Sequence, residues 1–394
     1  MHILFLAQRV PYPPNRGDKI TSWRLIERMS RDHEVTVVAF AHDDGDREAA
    51  RILTEEKGIR TIAIDHDERK KKIASLPLLL TGKPLTLGVY GSSLLQAEVD
   101  KLIPTTDFAY AFSSSMGAFL LPHSLPWVMH IAELDSDKWR QYSKRSSFPM
   151  SWVYGREAKT LLRFEQRLAA AAITNVLCTP LEEDIFKEQI PGFHTTVLQN
   201  GVDLKFFHPA PEKTEPGRLV FTGVMDYLPN TDACVHFVQD ILPLIREKHP
   251  EVTFDIVGSK PTPEIKALAN TPGVTVTGFV DDIRTWSHKA SISVAPLRIA
   301  RGIQNKVLEA LSMGLPVVGS TSATQGVQGK PGEHYWVTDD PSEHARMVID
   351  LLDNPDQARE LGQIGRKFVE GHYDWEVTLK PLDKIIEGVQ FRTS

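Results

Sequence analysis

Short apolar runs alternate with helix-forming stretches along this chain, stop at a proline-rich segment, and then start again. The first series predicts strands at 2–7, 34–41, 60–64, 108–112, 127–131, 172–179 and 196–198, with helices at 20–29 and 46–57 and a long helical region before 172. The segment HPAPEKTEPGR, His208 to Arg218, holds three prolines and reads as a linker. A second series follows, with strands at 219–222, 253–257, 274–277, 291–295 and 315–318 and helices at 232–248, 263–269, 283–288, 342–353 and 355–370. Strands that alternate with helices pair in parallel, because each crossover helix carries the chain back over the sheet. Two such series predict an α/β protein with two parallel-sheet domains, whose strands end on a cleft where ligands of open sheets bind.

Bulk properties leave room for this and exclude other classes. The chain has 394 residues, 41% hydrophobic and 24% charged, with a net charge of −6, so no global basic field invites nucleic acid. Its two cysteines, Cys178 and Cys234, form no CxxC, which argues against metal and disulfide frameworks. The apolar start Ile3 to Ala7 is too short for a signal-peptide core. No run approaches the ~20 apolar residues that span a bilayer. A cytoplasmic protein is expected, meeting a membrane only as a peripheral visitor on the inner face of the plasma membrane.

The stretch GIQNKVLEALSMGLPVV, Gly302 to Val318, concentrates chemistry. Asn305 is a suitable N-cap and Gly314 a suitable C′ residue, with Pro316 preventing continuation. Lys306 and Glu309, spaced i,i+3, lie on one face of the first turn. A cation, a carboxylate and the open N–H groups of a helix start suit an anion that carries a polyol, such as a nucleotide diphosphate with its ribose. Taken alone, the pair reads more readily as a surface salt bridge. No GxGxxG follows the first strand, which argues against a nicotinamide enzyme.

Several motifs carry a resemblance. NGVD at Asn200 to Asp203, followed by Phe206, Phe207 and Pro209, the segment TGFVDDIRTWSHKASISVAPLR from Thr277 to Arg298, and KVLEALSMGLPVV resemble family 4 glycosyltransferases over nearly the whole chain. More narrowly, GVMDYLPN, LDSDKWRQY and GIQNKVLEA look like the sugar transferases of exosortase (PEP-CTERM) exopolysaccharide clusters. The resemblance implies a GT-B fold, two Rossmann-like domains facing a central cleft. It implies an acceptor-side domain at 1–200, a linker at 201–217, a donor domain at 218–371, and a C-terminal helix at 372–394 crossing back to the first domain. It also implies a retaining hexosyltransferase that uses a nucleotide diphosphate sugar as co-substrate and needs no metal or other cofactor. The expected partners are that donor and a glycan or polyprenyl-linked acceptor, in exopolysaccharide or cell-surface polysaccharide synthesis.

Residue roles follow from the same resemblance. Glu309 corresponds to the family's second glutamate and would hold the ribose hydroxyls; Gly278, Phe279 and Val280 would present backbone groups to the base. The first-domain loop with Arg16, Gly17 and Asp18 would face the donor. The family's first glutamate is replaced by Arg301, so the loop Arg298, Arg301, Gly302, Gln304, Asn305 and Lys306 becomes more cationic, and its arginines could neutralise the leaving diphosphate. His130, Glu133 and Asp135 follow a predicted buried strand and could orient or deprotonate the acceptor. A GT-B epimerase, or a nucleotide-sugar or glycan-binding protein without activity, uses the same site and stays open.

One further pattern is electrostatic. Lys138 to Leu168 carries eight basic residues against Glu157 and Glu165, interleaved with Trp139, Tyr142, Phe148, Trp152 and Tyr154. ERKKKIASLPLLL, Glu68 to Leu80, sets four cations beside an apolar run. Each segment taken alone reads more readily as a solvated basic face; their place in the same domain favours an anionic membrane surface.

Overall fold

A computed structural model describes residues 1–210, 214–300 and 302–393, with side chains up to residue 390. The chain divides into two compact units, residues 1–198 with 379–394, and residues 199–378.

The first unit is built on seven parallel strands: β1 (His2–Ala7), β2 (Glu34–Ala41), β3 (Thr61–Asp65), β4 (Phe108–Phe112), β5 (Trp127–Ile131), β6 (Thr174–Leu177) and β7 (Thr195–Val197). Their order is β3-β2-β1-β4-β5-β6-β7, so the direction of winding reverses between β1 and β4. Residues 3–7 of β1 are buried on both faces, as a central parallel strand requires. Phe5 stacks on Tyr110 of β4 at 5.3 Å. The C-terminal helix Lys380–Thr393 belongs to this unit; Asp383 accepts two hydrogen bonds from Arg28, at 2.8 and 3.0 Å.

The second unit holds six strands, all parallel: β8 (Arg218–Thr222), β9 (Thr253–Val257), β10 (Val274–Val276), β11 (Ile292–Ala295), β12 (Val317–Gly319) and β13 (Trp336–Val337). Their order, β10-β9-β8-β11-β12-β13, again reverses beside the first strand, here between β8 and β11. An open sheet leaves a crevice at such a reversal, because the two connections leave on opposite faces.

Two expectations change. The helix expected over 232–248 is Leu228–His236, one π-helical turn Phe237–Ile241, and then Leu242–Arg246. Pro243, which cannot donate to the preceding turn, falls at the start of the last piece. Within the segment expected as a linker at 201–217, residues 202–208 make contacts with the second unit. The Val202 N–H donates to the Tyr373 carbonyl at 2.7 Å, and Arg284 lies 3.8 Å over the Phe206 ring. His288 Nε2 is 2.8 Å from the His208 carbonyl oxygen.

Candidate active site

The carboxyl end of the second sheet is assembled from loops that hold one another by backbone contacts. At the end of β8, the Gly223 N–H donates to the Val257 carbonyl at 3.0 Å, and the Met225 N–H to the Ser259 carbonyl at 2.8 Å. Gly258, at the exit of β9, has φ +150°, and a Cβ there would lie 1.7 Å from the Gly223 carbonyl oxygen. Only glycine fits this approach. The two loops therefore leave the sheet as one rigid lip.

Asn230 projects from the helix Leu228–His236. Its Nδ2 donates to the Val224 carbonyl at 2.9 Å, which turns Oδ1 outward. That oxygen accepts a hydrogen bond from Lys306 Nζ, on the helix Asn305–Ser312 that follows β11. The contact thus spans the β8/β11 reversal. Lys306 Nζ also lies 4.2 Å from the centre of the Phe221 ring. Burial lowers the lysine's pKa to about 8. Glu309, one turn on, has no hydrogen-bond or ion-pair partner among the described residues; burial raises it to about 7, opposed by Lys306. A half-buried cation beside a carboxylate without a donor is a poor structural pair and a good receptor for a diphosphate joined to a diol.

The start of this helix differs from expectation. Gln304, not Asn305, occupies the N-cap position, with no side-chain capping bond. Asn305 lies inside the first turn, with Oδ1 buried and without a hydrogen-bond partner. Gly302, at φ +64°, presses its carbonyl against Gly326, where an added Cβ would lie 2.2 Å away. Gly314 ends the helix at φ +72°, as expected. Arg366 holds that far end by donating to the Ser312 carbonyl, and at 2.8 Å to the Phe207 carbonyl.

Arg298 does not supply the free cation expected of it. Its guanidinium forms a two-pronged pair with Asp232, with Nε at 2.9 Å, and this pairing raises its pKa. Arg301 lies outside the described residues. After β10, Gly278 has φ +70°, Phe279 is 75% exposed, and Val280 packs against the core, so a ring and a glycine backbone are presented at the sheet end.

In the first unit the candidate groups divide. His130 does not reach the surface: it is buried in β5 with Nδ1 2.8 Å from the Tyr110 hydroxyl, and burial lowers it to about 3. That removes it from proton transfer near neutral pH. Glu133 accepts from Lys138 Nζ at 2.7 Å and is neutralised in place. Asp135 opens the helix Asp135–Arg145, accepts from the Ser114 hydroxyl at 2.8 Å, and has its pKa raised by burial. Sequence reasoning missed Glu165, whose Oε1 accepts from the Ser136 N–H at 3.2 Å while Oε2 is buried without a partner. Burial and then the Asp135 charge raise Glu165 to about 8, so it is largely protonated at neutral pH. Arg16 and Asp18, flanking Gly17 at the start of the helix Gly17–Met29, pair with each other at 2.6 Å.

The two basic segments of the first unit are joined. From the helix Met150–Ala171, Arg156 donates to the carbonyls of Leu78, Leu79, Thr81 and Lys83. Leu80 (92% exposed), Phe148 (81%) and Trp152 (54%) stand out as exposed apolar groups of these segments, with Ile73, Leu76 and Met150. Lys70, Lys72, Lys83, Lys144, Arg145 and Lys159 are exposed as well. Among the described residues no helix is long and apolar enough to cross a membrane.

Comparison with known proteins agrees with this architecture. Residues 216–354 match the family "Glycosyl transferases group 1". Over 220 residues the chain is 28% identical to a GDP-mannose-dependent monoacylated alpha-(1-6)-phosphatidylinositol monomannoside mannosyltransferase of Corynebacterium glutamicum, a match covering 50% of this chain. The chain spans 58%, little more than half, of that relative. A sucrose-phosphate synthase from Thermosynechococcus elongatus superposes with TM-score 0.76 at 17% identity, covering 100% of both chains. Alr3699/HepE of Anabaena, solved in complex with UDP, gives 0.73 at 16% identity, over 98% of this chain and 100% of that one. The two Rossmann-like units have the GT-B glycosyltransferase fold, and residues 216–354 carry the sequence pattern of the group 1 glycosyl transferases.

Proposed function

We propose that the protein transfers a hexosyl group from a nucleotide diphosphate sugar to a glycan or lipid-linked acceptor, with retention of configuration, in exopolysaccharide or cell-surface polysaccharide synthesis. The observation that carries this reading is the Lys306–Asn230 contact across the β8/β11 reversal, with Glu309 close by and without a partner among the described residues. In this reading Lys306 holds the diphosphate and Glu309 the ribose hydroxyls. As the bond from the anomeric carbon to the phosphate oxygen breaks, the acceptor oxygen bonds to that carbon on the same face, and the acceptor proton passes to the leaving phosphate. The protein positions the partners and offsets the charge that develops on the diphosphate. The exposed Leu80, Phe148 and Trp152, with exposed lysines in the same two joined segments, support a peripheral stay on an anionic membrane, where a lipid-linked acceptor would lie.

The test is thermal shift with UDP and GDP. Nucleotide at 100 times its dissociation constant should stabilise the protein by about 2.7 kcal/mol, and the larger shift names the base. A shift unaltered in Lys306→Ala refutes the assignment. Release of nucleotide that requires an acceptor separates a transferase from an epimerase, which turns over donor alone, and from a binding protein, which releases none.

A further inference from the structure

A cavity of about 460 Å³ lies in the first unit between the helix Met150–Ala171 and the segment 78–88. Its volume is within the usual range for small-molecule sites. None of the residues placed above at the sheet ends lines it.

The helix builds this cavity with one set of charges and leaves another set idle. Arg156 donates to four carbonyls of residues 78–83, those of Leu79 and Lys83 at 3.0 and 2.9 Å. Buried Glu157 accepts from the N–H groups of Leu85 and Thr86 at 2.7 and 2.9 Å. The wall opposite the helix is therefore pinned at both ends. It is also closely packed: a Cβ added at Gly88 would lie 2.5 Å from Leu78 Cδ1. Arg163 and Arg167 line the cavity from the helix, and Lys83 lines it from the wall. All three are exposed, and their charged groups make no hydrogen bond or ion pair among the described residues. No acidic side chain is part of the lining. The remainder is largely apolar, with Phe164 5% exposed and Leu78 and Leu87 half-buried.

Arg163 and Arg167, spaced i,i+4, are neighbours on one helix face, where like charges repel. A phosphate between them replaces that repulsion with charge-assisted hydrogen bonds. An inorganic anion would use the cations and leave the leucines and Phe164 wet. A neutral chain would cover the apolar wall and leave three charges unmatched. A ligand that joins an anion to an apolar chain satisfies both. Leu78 sits in the short 3₁₀ helix Leu76–Leu80, whose Leu76 and Leu80 are exposed, so a bilayer is the source at hand. We propose that this cavity binds one molecule of an anionic phospholipid, with its phosphate held by Arg163, Arg167 and Lys83 and an apolar chain against Phe164, Leu78 and Leu87. The lipid here is a bound ligand and not an acceptor, and the site holds whatever the protein transfers.

Titration calorimetry on the full chain tests this with three probes: dihexanoylphosphatidylglycerol and dihexanoylphosphatidylcholine, both below their micelle concentrations, and inorganic phosphate. Free monomers report on the cavity and bypass general adhesion to a charged surface. The phosphatidylglycerol should bind about tenfold or more tightly than either other probe, the ratio that one charged hydrogen bond supplies. Arg163→Ala with Arg167→Ala should remove that advantage. A Cβ at Gly82, also in the lining, meets open space, so Gly82→Glu adds an acid without crowding and should weaken the phosphatidylglycerol about tenfold as well. These changes fall on exposed residues, and a melting temperature equal to wild type shows that each variant is folded. No binding of phosphatidylglycerol, equal binding of phosphatidylcholine or of phosphate, or binding unchanged in both variants overturns the proposal. The nucleotide titrations described above bear on the donor site alone, so either reading can fail without the other.

Discussion

Both sheets reverse their strand order beside their first strand, yet the lysines near the two reversals are partnered differently. Beside β1, Lys19 closes on Asp46 at 2.8 Å with both side chains largely buried, and Arg16 closes on Asp18 at 2.6 Å. Beside β8, Lys306 meets an amide oxygen, and Glu309 meets no partner among the described residues. Charge matched within the chain stabilises the fold and leaves little for a ligand. Charge left unmatched in a half-buried place weakens the fold and persists where a ligand of opposite sign completes it. The difference makes the second reversal the better candidate for an ionic substrate, and the first the better candidate for a scaffold.

Four measurements put this contrast to the test. The largest effect is expected from Asp46→Ala, which strands the buried Lys19. It should lower stability by about 3–5 kcal/mol in urea unfolding and leave the nucleotide-induced shift in place. Next, Lys306→Ala should cost about 2–5 kcal/mol of nucleotide diphosphate affinity, roughly 30-fold or more in titration calorimetry, with little loss of ligand-free stability. Equal stability losses in the two variants would erase the contrast.

The third effect is pH dependence. Glu309 titrates at about 7 in the fold against 4.5 when unperturbed, so the folded chain keeps a proton that the unfolded chain has lost. Its contribution to stability therefore falls as pH rises from 4.5 to about 7. Lys306 titrates at about 8 against 10.5, so here the unfolded chain holds the extra proton, and the contribution climbs from about 8 to 10.5. A comparison of melting temperature against pH for wild type and Glu309→Gln should show the first slope only in wild type. Nucleotide affinity should drop above about pH 8, as the lysine loses its proton. The smallest effect is reserved for Arg298→Ala. An exposed pair such as Arg298–Asp232 is worth roughly 0.2–1 kcal/mol, so nucleotide affinity should change a few-fold at most. A loss as large as that of Lys306→Ala would make Arg298 a donor ligand after all.

Sequence periodicity was a good guide where burial is simple. β1, β2, β4, β5 and β9 begin and end where their apolar runs do, because a central parallel strand is covered on both faces. It was a poor guide to pairing across distance. Nothing near Arg298 announces Asp232, and nothing near Lys306 announces Asn230, since both partners arrive on the helix that follows another strand. His130 illustrates a different limit: a polar residue within an apolar strand reads as a site, but Tyr110 on the neighbouring strand satisfies it in the core. Glu165 offered a usable signal. It sits between Leu161, Phe164 and Leu168 on the buried face of its helix, a break in pattern that a functional or strained position can explain.

The tight contact at Gly258 bears on how such a chain can change over generations. Gly258 is fixed by the backbone of Gly223, Gly223 by the side chain of Asn230, and Asn230 by Lys306. These four letters lie in three separate stretches of the chain, after β8, β9 and β11, so no short text pattern records them, unlike the compressed glycine fingerprints of dinucleotide enzymes. A replacement at the first meets a wall built by the second, and one at the last removes the reason for the third. Descendants of this chain should therefore keep or lose the four together, while the stretches between them drift.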